Sequence, residues 1–172
     1  MKIRFDVNDG SNRSEFLVDA LPRALKALSP DRVALWGGMS AQQMVEHLLW
    51  TFDVSNGTIE SPCPIPEEKR PRYRAFLLDN RPTPHHFESP VLKEGLPPLR
   101  FAAFEDAIEE LVRQVRAFEQ QGTDQAAAQR MHPLFGPLDA EGWSRNHFKH
   151  GVHHLLQFGL IEVEEVAGET HA

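Results

Sequence analysis

The chain has 172 residues, of which 41% are hydrophobic, and a formal net charge of −7 at pH 7. This length and apolar content predict one domain over residues 1–172 with a buried core. The acidic balance, without a cluster of Lys and Arg, argues against nucleic acid as a partner, because phosphate binding requires concentrated positive charge.

The expected compartment follows from cysteine usage and from the apolar segments. Cys63 is the single cysteine, which excludes an intrachain disulfide and suits a reducing compartment. The charged start at residues 1–6 lacks the apolar core of a signal peptide, and no apolar run approaches the ~20 residues that cross a membrane. We therefore expect a cytoplasmic protein without a membrane partner.

A first helix is expected over residues 20–28. Asp19 is a suitable N-cap, and Pro22 would stand in the first turn, where a missing N–H costs little. This helix would begin the domain core, which we expect over residues 20–160.

The second helix has the clearest signal in the chain. Ser40-Ala-Gln-Gln43 is a capping box, in which the Ser side chain accepts from the backbone and the Gln side chain reaches back. It predicts a helix over residues 40–56 that ends at Gly57. His47 lies on the flank of the buried stripe of this helix.

A long proline-rich connection, residues 57–103, follows and is called the crossover below. It holds nine of the thirteen prolines, which exclude continuous helix apart from a turn or two at residues 67–79. A connection of this length most simply spans a helix bundle, so that the second and third helices run parallel.

Two further helices complete the predicted fold. Apolar residues at helical spacing predict a third helix over residues 104–121, and Asp139 is the expected N-cap of a fourth helix that reaches residue 158. A turn at residues 132–137 precedes the fourth helix. The predicted fold class is all-α: a four-helix bundle with one long proline-rich crossover between helices 2 and 3.

Four of the nine histidines fall in residues 147–154, on the fourth helix. At about 100° per residue, one side of this helix collects several large or metal-ligating side chains. They are Trp143, His147, His150, His154 and Phe158. Residues that are expected to point away from this side are Asn146, Lys149, His153 and Gln157. Because His150 and His154 are one turn apart, they can bind one metal ion, with a third ligand from another helix.

Four segments, taken together and in this order, resemble the DinB-like superfamily, and more narrowly a bacterial branch of unknown function. They are Trp36-Gly-Gly-Met-Ser40, Gln43-Met-Val-Glu-His47, His132-Pro-Leu-Phe-Gly136 and His150-Gly-Val-His-His-Leu-Leu-Gln-Phe-Gly159. The resemblance implies an up-down-down-up bundle that holds a divalent metal ion, commonly zinc or nickel. Its ligands would be one histidine of the second helix and a His-x-x-x-His pair of the last, which are here His47, His150 and His154.

The resemblance also implies a class of reaction. Some relatives are metal-dependent thiol transferases or isomerases that use low-molecular-weight thiols. The resemblance implies that this chain is a metal-dependent enzyme that acts on a small molecule, as a thiol transferase or a related hydrolase or isomerase. A homodimer is compatible with this expectation. The alternative is a non-enzymatic bundle that binds a metal or ligand, as a stress-related or interaction module.

The residues themselves support the same ligand set, since three neutral imidazoles leave a fourth metal position open to water or substrate. We expect the other histidines to pack in the core, support a turn or lie in solvent rather than bind the metal. His147 would be a packed residue rather than a substitute ligand or proton carrier, and His132 would serve the turn before the last helix. His153 would lie at the solvent or helix margin. His85 and His86 would be solvated, although they could fold over the mouth of the site. No general base is assigned, because Glu46 and Asp53 project away from the apolar stripe of their helix.

Overall fold

Helices dominate the fold, and two small sheets accompany them in the part of the chain that the computed structural model describes: residues 1–85, 87, 97–121 and 129–164. The strands are β1 (Lys2–Ile3), β2 (Arg130–His132), β3 (Gly136–Leu138) and β4 (Glu162–Val163). The helices are α1 (Gly10–Glu15), a π-helical turn (Phe16–Ala20), α2 (Leu21–Lys26), α3 (Ala41–Ser55), a 3₁₀ turn (Glu67–Lys69), α4 (Arg70–Leu78), α5 (Phe104–Gln121) and α6 (Ala140–Gln157).

The second, third and fourth predicted helices are confirmed as α3, α5 and α6. The capping box of α3 is formed in both directions: the Ser40 hydroxyl accepts from the Gln43 amide at 3.2 Å, and the Gln43 side chain accepts from the Ser40 amide at 2.9 Å. Asp139 caps α6 by accepting from the Gly142 amide at 2.8 Å. These local sequence signals therefore set the boundaries of the two helices that carry the candidate ligands.

The prediction for the first helix was wrong about its start. Helical structure runs without a break through residues 10–26, and its N-cap is Asp9, which accepts from the amides of Ser11 and Asn12. Asp19, the predicted cap, lies inside the π-helical turn and forms an exposed ion pair with Arg23. The first turns consist largely of Gly, Ser and Asn, which are weak helix formers, so the periodic apolar signal begins only at Phe16.

The two small sheets correct the all-α prediction to a mainly helical fold. β1 pairs in parallel with β4, with Lys2 opposite Glu162, and β2 and β3 form an antiparallel hairpin. Strands of two or three residues are too short to show an alternating pattern in a sequence. The predicted turn role of His132 is confirmed, because its Nδ1 atom accepts from the amides of Leu134 and Phe135.

The core lies between the first helical run, α3, α5 and α6. Gly151, in the middle of α6, allows a close approach of the first helical run, since a Cβ atom there would come within 2.9 Å of the Phe16 ring. None of the helices in the described residues has the length and apolar character needed to cross a membrane.

The described part of the crossover contains the short helical segment that was predicted at residues 67–79. It is the 3₁₀ turn followed by α4, with Pro71 in the first turn of α4. This segment packs against α6 and contributes to a second apolar cluster that includes Val54, Ile65 and Trp143. Residues 86 and 88–96 lie outside the described part of the chain, so the expectation for His86 does too.

Candidate metal centre

Three histidines from two helices converge as the sequence predicted. The Nε2 atom of His150 lies 3.0 Å from Nε2 of His47 on α3 and 3.0 Å from Nε2 of His154, one turn further along α6. The candidate ligand atoms all lie within 4.8 Å of one another. His154 is buried, whereas His47 and His150 are half-buried. These three residues, called the triad below, could hold a metal ion.

The hydrogen-bond partner of His154 fixes the tautomer of its ring. Gln157 donates through Nε2 to the Trp36 carbonyl at 2.9 Å, so its Oε1 atom is the one that faces His154 Nδ1 at 2.8 Å. That oxygen can only accept, so Nδ1 of His154 carries the ring hydrogen. The Nε2 atom of His154 therefore carries a lone pair, which is directed at Nε2 of His150.

Hydrogens alone do not satisfy the triad. If Nε2–H of His150 donates to the lone pair of His154, its only hydrogen is used. The Nε2 atom of His47 also lies 3.0 Å from Nε2 of His150. It must then either accept the same hydrogen or point a hydrogen of its own at the N–H group of His150. A divalent ion would instead accept a lone pair from each ring. With bonds of about 2.1 Å in a tetrahedron, ligand nitrogens are about 3.4 Å apart, so the two contacts of 3.0 Å would lengthen by about 0.4 Å.

The triad is suited to metal binding because burial keeps its rings neutral. Burial lowers the pKa of His47 to about 4, with a smaller contribution from the nearby His153. Burial likewise holds the pKa values of His150 and His154 well below the ordinary value for histidine. A neutral imidazole has a free lone pair, so the rings do not need to lose a proton before they bind a cation at neutral pH.

The acidic groups of α3 serve the crossover rather than the triad. Glu46 is buried and accepts from the backbone amides of Arg100 at 2.6 Å and Phe101 at 3.3 Å. Asp53 is also buried, and it pairs with the Arg100 guanidinium at 2.6 Å. Both side chains are therefore buried and engaged by the end of the crossover.

His153 lies at the helix margin, as expected, but it also borders the triad. Its ring centroid is 5.1 Å from that of His154, and its charge contributes to the lowered pKa values of all three triad residues. Its ring also meets the Trp36 indole edge-on at a centroid distance of 6.1 Å. His85, in the crossover, is exposed and stacks on the Trp36 indole at 3.9 Å. The crossover therefore reaches the neighbourhood of the triad.

His147 is a packed core residue, as expected. Its ring is stacked on Phe52 at a centroid distance of 3.7 Å, and Phe118 meets it edge-on. Its Nε2 atom lies 2.8 Å from the Ser55 hydroxyl on α3. It is absent from the cluster of groups that could hold a metal ion in the described residues.

Three residues of α6 that were expected to point away are instead buried, which corrects the predicted polar face of this helix. They are Asn146, Lys149 and Gln157. The reason is that irregular backbone packs on this side and offers carbonyl groups as partners, namely those of Trp36 for Gln157 and of the crossover for Lys149. A sequence pattern that counts only apolar residues cannot detect such a face.

Cys63 lies in the second apolar cluster, and its Sγ atom is 3.8 Å from the Ile65 carbonyl. It does not belong to the group around the triad. Within the described residues, the candidate ligands are therefore the three histidines alone.

Comparison with known proteins yields no relative: no family model, no curated protein and no solved structure matches this chain.

Proposed function

We propose that the chain is a metal-dependent enzyme of the DinB-like type, in which His47, His150 and His154 bind a divalent ion, zinc or nickel. The observation that carries the proposal is the approach of three ring nitrogens that hydrogens alone do not satisfy. The proposed topology is the up-down-down-up four-helix bundle, formed by the first helical run, α3, α5 and α6.

The ligand set favours a catalytic site over a purely structural one. Structural zinc sites are usually closed by four protein ligands, whereas three ligands leave a position for water or substrate. His47 and His150 are half-buried, which is compatible with access from solvent to the triad. An ion bound only by neutral imidazoles keeps its full positive charge and can stabilise a thiolate or hydroxide at neutral pH.

The chain's own residues orient this site. Gln157 holds the ring of His154 through Nδ1, and it is itself held by the Trp36 carbonyl. Such outer partners fix both the tautomer and the orientation of a ligand ring. We propose a small electrophile and a low-molecular-weight thiol as the substrates, and thiol transfer as the reaction.

The first test is metal analysis of the natively purified protein, which should find zinc or nickel in equimolar amount. His150→Ala should abolish binding, because it removes the nitrogen at the centre of the triad. His147→Phe is the matched control: it removes an imidazole from the same helix, fills the same stacked position against Phe52, and should retain the metal.

The second test is turnover with a panel of low-molecular-weight thiols and small electrophiles, with and without the metal. Metal-dependent turnover that disappears in His150→Ala supports the enzyme. A protein that binds the metal but turns over none of the panel would favour the alternative, a non-enzymatic metal-binding module.

A further inference from the structure

Lys149 is a buried cation whose hydrogen-bond partners are all backbone carbonyls of the crossover. The side chain lies in the interior and donates to the carbonyls of Phe76 at 2.9 Å, Asp79 at 2.7 Å and Arg81 at 2.8 Å. An ammonium group has three donors, so each of them has a partner. Nζ also lies 3.9 Å from the centroid of the Phe76 ring, in cation–π contact.

These contacts fasten one end of a defined segment, residues 76–85, called the strap below. The Phe76 carbonyl belongs to the last turn of α4, where carbonyls have no partner within the helix, and the other two acceptors follow the end of α4. Beyond Arg81 the described strap has no helix or strand. Lys149 thus replaces the hydrogen bonds that regular structure would have provided.

The other end of the strap lies beside the triad. His85 stacks on Trp36 at an interplanar angle of 11°, and the centroid of the Trp36 ring lies 6.1 Å from that of His153, the residue before His154. Trp36 is in turn the residue whose carbonyl holds Gln157, the partner of His154. The strap therefore connects the Lys149 anchor with the wall of the candidate metal site.

The geometry of α6 couples the anchor to the ligands. Lys149 donates to the strap, and His153, one turn further along, meets Trp36, on which His85 of the strap stacks. His150 and His154 are also one turn apart and belong to the triad. Lys149 and His153 are thus each followed directly in the chain by a triad residue. The same two turns of one helix fix the strap and the ligands relative to each other.

Resting on the function proposed above, we infer that Lys149 is a positioning residue, which holds the strap against the Trp36 side of the triad and thereby limits access to the metal site. The species whose access the strap limits is a small molecule or hydrated ion that approaches the triad. Losing the three donors leaves three carbonyls without their cation, which favours an opened strap.

The test measures access to the triad directly. In metal-free protein, diethyl pyrocarbonate acylates neutral imidazole, and mass spectrometry gives the rate at each histidine. Lys149→Met keeps the apolar stem and removes the donors, and it should speed acylation of the triad about tenfold, equivalent to about 1.4 kcal/mol in the opening equilibrium. Lys69→Met is the matched control at an exposed lysine of the same crossover, and it should leave the rate unchanged.

A second variant covers the case in which Lys149→Met does not fold. His85→Ala removes the stack on Trp36 from an exposed position and should also speed acylation of the triad. Wild-type rates in His85→Ala, or in a folded Lys149→Met, would overturn the inference. Release of Co²⁺ to a chelator separates the two proposals. If wild-type protein binds Co²⁺ and the variants release it faster with an unchanged visible spectrum, both stand; if wild-type protein binds none, the metal proposal fails on its own.

Discussion

At the scale of single residues, Gln157 links the candidate metal ligands to a loop that contains none of them. Its amide lies between the His154 ring and the Trp36 carbonyl, and it reaches that carbonyl because the next residue is Gly37. Gly37 has a φ of +77°, and a Cβ atom there would lie 2.6 Å from Nε2 of Gln157. The Trp-Gly-Gly segment therefore has a role at the site that its sequence does not reveal.

Gly37→Ala should weaken metal binding about tenfold to a hundredfold, the range that is usual for the loss of an outer partner. The backbone of an alanine would be strained at this positive φ, and its methyl group would displace the Gln157 side chain. The His154 ring would then lose its hydrogen-bond acceptor. Competition with a chelator measures the affinity. Gly38→Ala is the adjacent control, because a Cβ atom there would meet nothing within 4 Å. Equal affinities of the two variants would contradict this role of Gln157.

The pH dependence of metal affinity should also reflect the burial of the triad. An ordinary histidine site loses affinity below about pH 6.5, because protons compete for the ligand nitrogens. Burial lowers the pKa of His47 to about 4, and those of His150 and His154 in the same direction. Affinity should therefore change little between about pH 7.5 and pH 6 and fall as the pH approaches 4. Calorimetric titration across this range provides the measurement, and a loss centred near 6.5 would contradict it.

The triad could be predicted from the sequence, whereas its surroundings could not. His150 and His154 have the spacing of one helical turn, and His47 is carried by a helix with a complete capping box. The contacts of Gln157 and His153 depend instead on irregular backbone that places Trp36. Nothing in the local sequence determines where such backbone lies, because its position depends on packing across the whole chain.

At the scale of elements, the helices that have strong local sequence signals were predicted correctly, and the helix that depends on packing was not. α3, α5 and α6 combine a cap or a strong apolar period with a length of at least fifteen residues. The first helical run begins with weak helix formers and contains a π-helical turn, which interrupts the 3.6-residue period. Tertiary packing of Phe16 and Leu17 stabilises it instead.

The corrected start of this run can be tested with two aspartates. Asp9→Ala should lower the midpoint of thermal unfolding by a few degrees, because the amides of Ser11 and Asn12 lose their acceptor. Asp19→Ala removes only an exposed ion pair with Arg23 and should have little effect. If Asp19→Ala were the more damaging of the two, the helix would begin where the sequence first indicated.

At the scale of the whole molecule, the described residues include several histidines that are buried in the neutral form. Three of them lie outside the triad. Burial lowers the pKa of His132 to about 3, holds that of His147 well below its ordinary value and also lowers that of His153. Unfolding exposes these rings to water, where they take up protons below about pH 6.5. The unfolded state then binds more protons than the folded state, so acid destabilises the fold.

Metal-free protein should therefore lose stability as the pH falls from about 6.5 to 5. Each such histidine contributes up to about 1.4 kcal/mol per pH unit in this window. Urea unfolding at a series of pH values measures the slope. His147→Phe should reduce it, because that variant has one fewer proton to take up on unfolding. A slope that is the same in His147→Phe would show that His147 does not contribute.

The distribution of the ligands along the chain has a consequence for synthesis. His47 and His150 are separated by 103 positions, and β1 pairs with β4, which lies beyond both ligands on α6. A growing polypeptide on the ribosome has only one triad residue available until nearly the whole domain has been made. The nascent protein must therefore emerge before the candidate site is complete, and the three rings can bind one cation only late in its maturation.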